Sequence, residues 1–314
     1  MKKAIILLGP TGVGKTGASL LLADHLSTEI ISSDSMQVYR HMDIGTAKPS
    51  KDEQKKVTHH MIDIVEPWEP FSTGDYISRA LPVFENIFST RKIPLVTGGT
   101  GLYIKAMTRG IFEGPSADKN LRNELAENEA QEPRSLYAML KKLDAAAAEK
   151  IMPQDIRRTI RALEVCIKSG TAISDFQAKL TKPFPYDFLK IGLIRERSEL
   201  YRLIDERVDA MLASGLVDEA SAVIDMVEKN NETPAECPAM QAIGYKELAL
   251  YLKKAESLDD AVSLIKKRSR NYAKRQLTWF RKEEGIKWVD VTGLFDAKEI
   301  FFKVTNSVNL SSLD

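Results

Sequence analysis

The chain has 314 residues, of which 43% are hydrophobic and 28% are charged, and its formal net charge at pH 7 is +1. This composition excludes a disordered or fibrous chain, and the length predicts about two globular domains. Because the net charge is close to zero, any affinity for nucleic acid has to come from local clusters of positive charge.

The cysteines and the hydropathy of the sequence predict the cellular compartment of the protein. Cys166 and Cys237 are far apart in sequence, which indicates a reducing compartment rather than a disulfide framework. No apolar run is long enough to span a membrane, and the first one is too short for a signal peptide. We therefore expect a cytoplasmic protein with no membrane segment.

The first predicted elements are a strand, a glycine loop and a helix. Residues 4–8 form an unbroken apolar run, typical of a strand buried on both faces. A complete phosphate-loop pattern follows, made of Gly9, Pro10, Thr11, Gly12, Val13, Gly14, Lys15 and Thr16. Its glycines let backbone N–H groups turn toward an anion at the start of a helix. Lys15 can reach a terminal phosphate, and the Thr16 hydroxyl can ligate Mg²⁺. This phosphate loop is predicted to bind a di- or triphosphate.

Three further strands are predicted before residue 100. Residues 29–34 end in the carboxylate of Asp34, residues 61–65 form a third strand, and residues 92–97 lead into a second glycine loop, residues 98–101. Ligands of parallel α/β sheets lie at the carboxyl ends of strands, so Asp34 and Thr100 are expected beside the phosphate loop. The alternative for Asp34 is an N-cap of the next turn. His59 and His60 alternate along a strand and are interpreted as structural.

The composition changes near residue 115. Residues 118–150 contain no glycine and are rich in Ala, Glu, Lys and Leu, which predicts a helical hairpin. A helix from Asp155 to Gly170 follows, with Ile156, Ile160, Leu163 and Ile167 as its predicted buried stripe. Arg157, Arg158 and Arg161 share one side, either as a solvated face or as contacts for phosphate backbone. We predict an inserted helical domain over residues 116–184 and a core over residues 1–115 and 185–314.

The last third of the chain returns to the core. Strands are predicted over residues 188–194 and 285–291, and a helix over residues 198–214. Without further information, Arg207 of this helix is interpreted as an exposed arginine. Residues 261–282 form a basic stretch without acidic residues, which favours a polyanionic partner. Its cations include Lys266, Lys267, Arg268, Arg270 and Lys274. The aromatic residues among them fit an ordinary core stripe.

In this order, these motifs resemble those of the tRNA dimethylallyltransferases, which prenylate an adenine beside the anticodon. The matching stretches are residues 9–16, 34–39, 45–49, 59–63, 97–103, 158–165, 242–245 and 272–280. The resemblance covers almost the whole chain and is specific because so many motifs coincide. Departures from the family pattern at Val13, His41 and Thr58 touch no residue to which we assign chemistry.

The resemblance implies a phosphate-loop-type α/β fold, with a parallel sheet core flanked by helices and an inserted all-helical domain. It implies transfer of a dimethylallyl group from dimethylallyl diphosphate to the exocyclic N6 amine of the adenosine 3′ of the anticodon, with Mg²⁺. Asp34 would be the general base, Thr100 would lie beside it, and Lys15 and Arg207 would meet the diphosphate. Besides the basic stretch, the residues assigned to the tRNA anticodon stem-loop are Asp34, Ser35, Met36, Gln37, Thr100, Arg122, Arg157, Arg158, Arg161, Gln241, Ala242, Ile243, Gly244 and Tyr245. We expect a monomer.

Three other functions share parts of this pattern. A small-molecule kinase would use the same loop and an Asp after the second strand, but it would consume ATP and not need the basic stretch. A prenyltransferase acting on free adenine nucleotides would share the core motifs without needing the inserted arginines. A non-catalytic RNA-binding module would not need Lys15, Thr16, Asp34 and Thr100 intact.

Overall fold

A computed structural model describes residues 2–179 and 182–308. The chain folds into two compact units, the first comprising Met1–Ile104 with Pro185–Asp314 and the second Lys105–Phe184. The predicted insertion, residues 116–184, falls inside the second unit. No helix in the described part of the chain is long and apolar enough to cross a membrane.

The first unit is built on a six-stranded sheet in which every pairing is parallel. Its strands are β1 Lys3–Leu8, β2 Ile30–Ser33, β3 His59–His60, β4 Leu95–Gly98, β5 Asp187–Ile194 and β6 Ile286–Asp290. They lie in the order β3-β2-β4-β1-β5-β6. The apolar run of β1 is fully buried between two neighbours, which explains why it carries no alternating polar residues. The predicted α/β class is confirmed.

Fourteen helices are found in the described residues. They are α1 Lys15–His25, α2 Lys51–Lys56, α3 Thr73–Ser89, α4 Gly101–Arg109, α5 Lys119–Gln131, α6 Ser135–Leu143, α7 Ala145–Lys150, α8 Ile156–Ser169, α9 Ile173–Lys179, α10 Arg197–Ala213, α11 Leu216–Lys229, α12 Tyr245–Leu252, α13 Leu258–Phe280 and α14 Ala297–Ser307. Helices α1, α10 and α14 cover β1 through Leu22, Ile204 and Ile300, which are buried in one cluster with Ile5 and Leu7. The second unit has its own core, centred on Leu140 and Leu163.

The register of the sheet sets where the site forms. Gly98 at the end of β4 is level with Leu8 of β1 and with Ser33 of β2. The next residues along each strand, Gly9, Asp34 and Gly99, therefore leave the sheet at the same height. A Cβ atom on Gly98 would lie 2.2 Å from the carbonyl oxygen of Ser33, so this close approach requires glycine.

Two local predictions are wrong. The predicted strand over residues 61–65 does not form, because Met61 and Asp63 have left-handed φ angles of 63° and 54° and turn the chain. The predicted apolar stripe of α8 is correct at Leu163 and Ile160, which pack in the core of the second unit, but it is wrong at Ile156 and Ile167, which are 43% and 44% exposed. Helix α8 is instead rotated so that Glu164 points inward and is fully buried.

Candidate active site

The phosphate loop, residues 9–16, joins β1 to α1. Gly12 and Gly14 have φ angles of 80° and 104°, which a residue with a side chain adopts only at a cost. Gly14 caps α1 without a side-chain hydrogen bond, so the cap residue offers no competing oxygen to the first-turn N–H groups. The Lys15 ammonium donates to the carbonyl oxygens of Gly9 (2.9 Å) and Pro10 (2.8 Å). The cation is therefore held over the loop where a terminal phosphate would bind.

Burial and charge act on Lys15 together. Desolvation is the largest effect and the Arg207 guanidinium the next, and they lower the pKa of Lys15 from 10.5 to about 7 against the opposing effect of Asp34. Two basic side chains are thus held together in a desolvated site, and Asp34 is an acidic group that acts on both. Such an environment favours the binding of a multiply charged anion.

Arg207 belongs to this site, and its interpretation as an exposed helix arginine is wrong. Helix α10 directs its side chain inward, and Nη1 donates to the Thr11 hydroxyl at 3.0 Å. Burial lowers the pKa of Arg207, and Asp34 acts in the opposite direction. No local sequence pattern indicates this placement, because Thr11 lies 196 positions earlier in the chain.

Asp34 and Thr100 follow β2 and β4 and are tied to each other through the backbone. The Thr100 amide donates to the Ser33 carbonyl at 3.0 Å, and the Ser35 amide donates to the Thr100 hydroxyl at 3.0 Å. Asp34 Oδ1 accepts the Met36 amide at 2.8 Å, so the capping alternative is realised by one carboxylate oxygen. This bond orients the carboxylate, so capping and a chemical role for Asp34 are compatible.

Helix α13 supplies site residues that the sequence interpretation missed. Gln276 is only 6% exposed; its Oε1 accepts the Thr11 amide and its Nε2 donates to the Gly99 carbonyl, both at 2.9 Å. Tyr272 interacts with the side chains of Thr100 and Gln276. Trp279 packs on Gly101, where a Cβ atom would lie 2.5 Å from the indole. The available signal was their spacing, which places the three side chains on one helix face.

The metal-binding capacity of the site rests on Thr16. Its side chain lies in the first turn of α1 and the residue is exposed. The described residues contain no group of three or more His, Cys, Asp or Glu that could hold a metal. A single hydroxyl oxygen beside a phosphate site fits Mg²⁺, which takes its remaining ligands from bound phosphates and water.

Comparisons with known proteins decide the family. The sequence model of the IPP transferase family matches residues 37–283, and that of the isopentenyl transferases matches residues 2–65. The chain belongs to the IPP transferase family. It is 55% identical to a tRNA dimethylallyltransferase of Thermodesulfovibrio yellowstonii over 308 residues, covering 98% of both chains. It is also 45% identical to the corresponding enzyme of Thermotoga maritima, covering 92% of this chain and 93% of the other.

Solved structures agree with this assignment. The tRNA isopentenylpyrophosphate transferase of Bacillus halodurans superposes with a TM-score of 0.69 at 39% identity, covering 99% of this chain and 100% of that one. A eukaryotic dimethylallyltransferase acting on tRNA gives a TM-score of 0.79 at 32% identity, covering 94% and 75%. The resemblance drawn from the motifs is confirmed at the level of the family.

In this IPP transferase, the arginines predicted to contact tRNA from the second unit fall into two groups. Arg122 and Arg161 pair with the fully buried Glu164, with Arg122 donating through two nitrogens at 2.8 Å. These bonds lower the pKa of Glu164 to about 2, against the effect of desolvation. Arg157 and Arg158 are exposed. All four assignments to tRNA remain predictions. Arg122 and Arg161 already pair with a buried carboxylate, whereas, among the described residues, Arg157 and Arg158 do not.

The assignment of residues 241–245 to tRNA stays a prediction, and their burial bears on it. Tyr245 is fully buried, and its hydroxyl donates to Glu219, whose carboxylate also accepts the amides of residues 43–45. Ala242 and Gly244 are buried as well, which leaves Gln241 exposed and Ile243 half-buried. Tyr245 supports the loop around Gly45, where a Cβ atom would lie 2.5 Å from its ring, and Ala242, Gly244 and Tyr245 expose little of their surface.

Gln37 and the basic stretch also have partners within the chain. The Gln37 amide group donates to the carbonyls of Thr46 (3.3 Å) and Ala47 (3.2 Å), which holds that loop against β2. On α13, the cations Lys266, Arg268 and Arg270 pair with Asp209, Glu247 and Asp205. The absence of acidic residues within the stretch is therefore compensated by α10 and α12. Among the described residues, Lys267 and Lys274 form no salt bridge and are exposed.

Proposed function

We propose that this enzyme transfers a dimethylallyl group from dimethylallyl diphosphate to the N6 amine of the adenosine 3′ of the anticodon in tRNA, releasing diphosphate. The observation that carries the proposal is the convergence of Lys15, Arg207 and Asp34 on the phosphate loop. The relatives are named as tRNA dimethylallyltransferases, which supports tRNA over a free nucleotide or a kinase substrate.

The cations suit the departure of the leaving group. An adenine amine is a weak nucleophile, so the allylic C–O bond must be strongly polarised as the new C–N bond forms. Negative charge then builds on the diphosphate, where Lys15, Arg207 and the first-turn N–H groups of α1 are already fixed. Such preorganised donors lower the barrier because they need no reorientation during the reaction.

Asp34 completes the proton balance. The N6 amine loses one proton as it gains the dimethylallyl carbon, and the carboxylate of Asp34 accepts that proton. Its Oδ1 is oriented by backbone amides, and Thr100 is held beside it through Ser35. The target base has to leave its stack to reach this position, as in other enzymes that modify bases.

We propose Mg²⁺ as the cofactor, with Thr16 as its protein ligand. When bound, the ion would neutralise charge on the diphosphate oxygens. We also propose that the enzyme acts as a monomer and that it lies in the cytoplasm. The reducing compartment is consistent with Cys166 and Cys237, which are buried and form no disulfide.

The experiment is a nucleoside analysis. The protein is incubated with unmodified tRNA, dimethylallyl diphosphate and Mg²⁺, and the digested tRNA is examined by mass spectrometry for N6-dimethylallyladenosine. Parallel reactions contain ATP in place of the prenyl donor, or a free adenine nucleotide in place of tRNA. Prenylation of tRNA supports the proposal, whereas turnover only with ATP or only with the free nucleotide would replace it.

A further inference from the structure

We infer that Gln276 of α13 is a positioning residue that joins the two glycine loops of the site. Its side-chain amide accepts from the Thr11 N–H of the phosphate loop and donates to the Gly99 carbonyl beside Thr100. The inference rests on the proposed function, because it concerns the alignment of the diphosphate cradle with the groups that meet the adenine.

The chemistry of the two partners fixes the side chain in one orientation. A backbone amide only donates and a carbonyl only accepts, so the Gln276 oxygen must face Thr11 and its nitrogen must face Gly99. A carboxylate at this position could accept from the Thr11 amide but would repel the Gly99 carbonyl oxygen. An ammonium could donate to the Gly99 carbonyl but could not accept from the Thr11 amide. Glutamine is long enough to reach both loops and carries both a donor and an acceptor.

The side-chain amide of Gln276 is tightly surrounded. Gln276 is 6% exposed, and a Cβ atom on Gly99 would lie 2.2 Å from its nitrogen. That Cβ atom would also approach the Gly9 carbonyl to 3.4 Å, so the two loops are in close contact at this point. Gly99 has no left-handed φ angle, and its need for glycine therefore arises from the closeness of Gln276.

The neighbouring turns of α13 extend the same arrangement. Tyr272, one turn earlier, interacts with Thr100, and Trp279, about one turn later, packs on Gly101. Helix α13 therefore contacts three consecutive residues of the second glycine loop. Of these three side chains, Gln276 is the one for which the described part of the chain shows a hydrogen bond to the phosphate loop. A small shift between the loops would displace the leaving group relative to Asp34, and misplacements of about 1 Å can cost about 100-fold in rate.

The first test compares Gln276→Met with the parent protein. Methionine has a similar length and forms neither hydrogen bond, so the Thr11 amide should lose protection and exchange at least about tenfold faster. Deuterium uptake of peptides covering residues 9–14 measures this without any catalysis. In prenylation assays, kcat should fall about tenfold or more while tRNA affinity stays within about twofold. Unchanged exchange and unchanged kcat would overturn the inference.

The second test is the pH profile of Gln276→Glu. A protonated glutamic acid has a carbonyl for Thr11 and an O–H for Gly99, whereas the ionised form has two acceptors. Burial raises the pKa of a carboxyl above its usual value of about 4.3, so this switch should fall in the accessible range. We expect the ratio of variant to parent kcat to rise about tenfold between pH 8 and pH 5.5. Gln131→Glu, an exposed change of the same charge, should give a constant ratio.

Two further outcomes distinguish a failure of the inference about Gln276 from a variant that does not fold and from a failure of the proposed function. If Gln276→Met does not fold, Gly99→Ala disrupts the same contact from the other side, and parent-like exchange of Thr11 in that variant would overturn the inference. If the parent protein fails to prenylate tRNA, the proposed function fails, yet the exchange measurement still decides whether Gln276 joins the loops. A Gln276→Glu ratio that is flat with pH would count against the donor role toward Gly99.

Discussion

The state of the Lys15 ammonium governs how the site receives an anion. Its pKa is lowered to about 7, chiefly by desolvation and by Arg207. We therefore expect the unliganded protein to lose the Lys15 proton as the pH rises above 7, and binding a diphosphate to raise the pKa again because an opposite charge arrives. Binding must then be accompanied by uptake of a proton above pH 7.

We expect the affinity for dimethylallyl diphosphate to fall by up to about tenfold per pH unit above pH 7. Titration calorimetry in two buffers with different ionisation enthalpies measures the proton uptake directly. Lys15→Met should bind more weakly and take up no proton at this site. Equal proton uptake by the parent and by Lys15→Met would show that another group titrates.

Asp34 permits a substitution that separates its two roles. In Asp34→Asn the side-chain oxygen still accepts the Met36 amide, so the turn after β2 is retained while the proton acceptor is removed. We expect kcat to drop by roughly 10²–10⁴-fold with little change in dimethylallyl diphosphate binding. Single-turnover prenylation and calorimetry give the two values. Near-normal turnover would remove Asp34 from the mechanism.

At the level of elements, α13 and the two residues that follow it carry two sets of cations with different surroundings. Lys266, Arg268 and Arg270 are engaged by carboxylates of other helices. Lys274, Arg275 and Lys282 instead line a surface cavity of ≈ 390 Å³ together with Trp279. Because a paired cation releases fewer counterions on binding phosphate, the second set is the better candidate for contact with tRNA.

We expect glutamine substitution of Lys274, Arg275 and Lys282 to lower the log–log salt slope of tRNA binding by roughly 0.7–0.9 for each phosphate that is no longer neutralised. The matched triple variant at Lys266, Arg268 and Arg270 should keep the parent slope and instead lower the melting temperature, since Glu247 and its neighbours lose their partners. Binding measured at several salt concentrations distinguishes them. A reduced slope in the second variant alone would restore the interpretation drawn from sequence.

Features set by neighbouring residues could be predicted from the sequence, whereas contacts between residues far apart in the chain could not. The phosphate loop, the position of Asp34 after β2 and most of the strands are encoded by neighbouring residues, so the sequence predicted them well, whereas the strand expected over residues 61–65 does not form. Arg207 and Gln276 act on Thr11, which is 196 and 265 positions away, and no local pattern reveals such a contact. Glu164 illustrates the same limit, because an acidic residue on an amphipathic helix is expected outside unless its arginine partners are known.

At the scale of the whole molecule, Glu219 fastens a loop of the first unit to α11 and α12. Its carboxylate accepts the amides of residues 43–45 and the Tyr245 hydroxyl. Glu219→Gln replaces one acceptor oxygen with a donor that faces other donors. We expect a loss of roughly 2–3 kcal/mol in unfolding free energy, measured by urea denaturation. Glu228→Gln, an exposed change on the same helix, should cost less than about 0.5 kcal/mol, and equal losses would refute a special role for Glu219.

The order of strands also has a consequence for synthesis on the ribosome. Strand β1 is made first, but its neighbour β5 begins only at Asp187, after the whole second unit has been translated. At about 5–20 residues per second, one edge of the apolar segment 4–8 stays unpaired for roughly 10–40 seconds. We expect site-specific cross-linkers in this segment to capture a chaperone on nascent chains arrested before β5 emerges, and to lose it once β5 has left the exit tunnel. Chains that never cross-link at either length would show that the segment is shielded in some other way while translation continues.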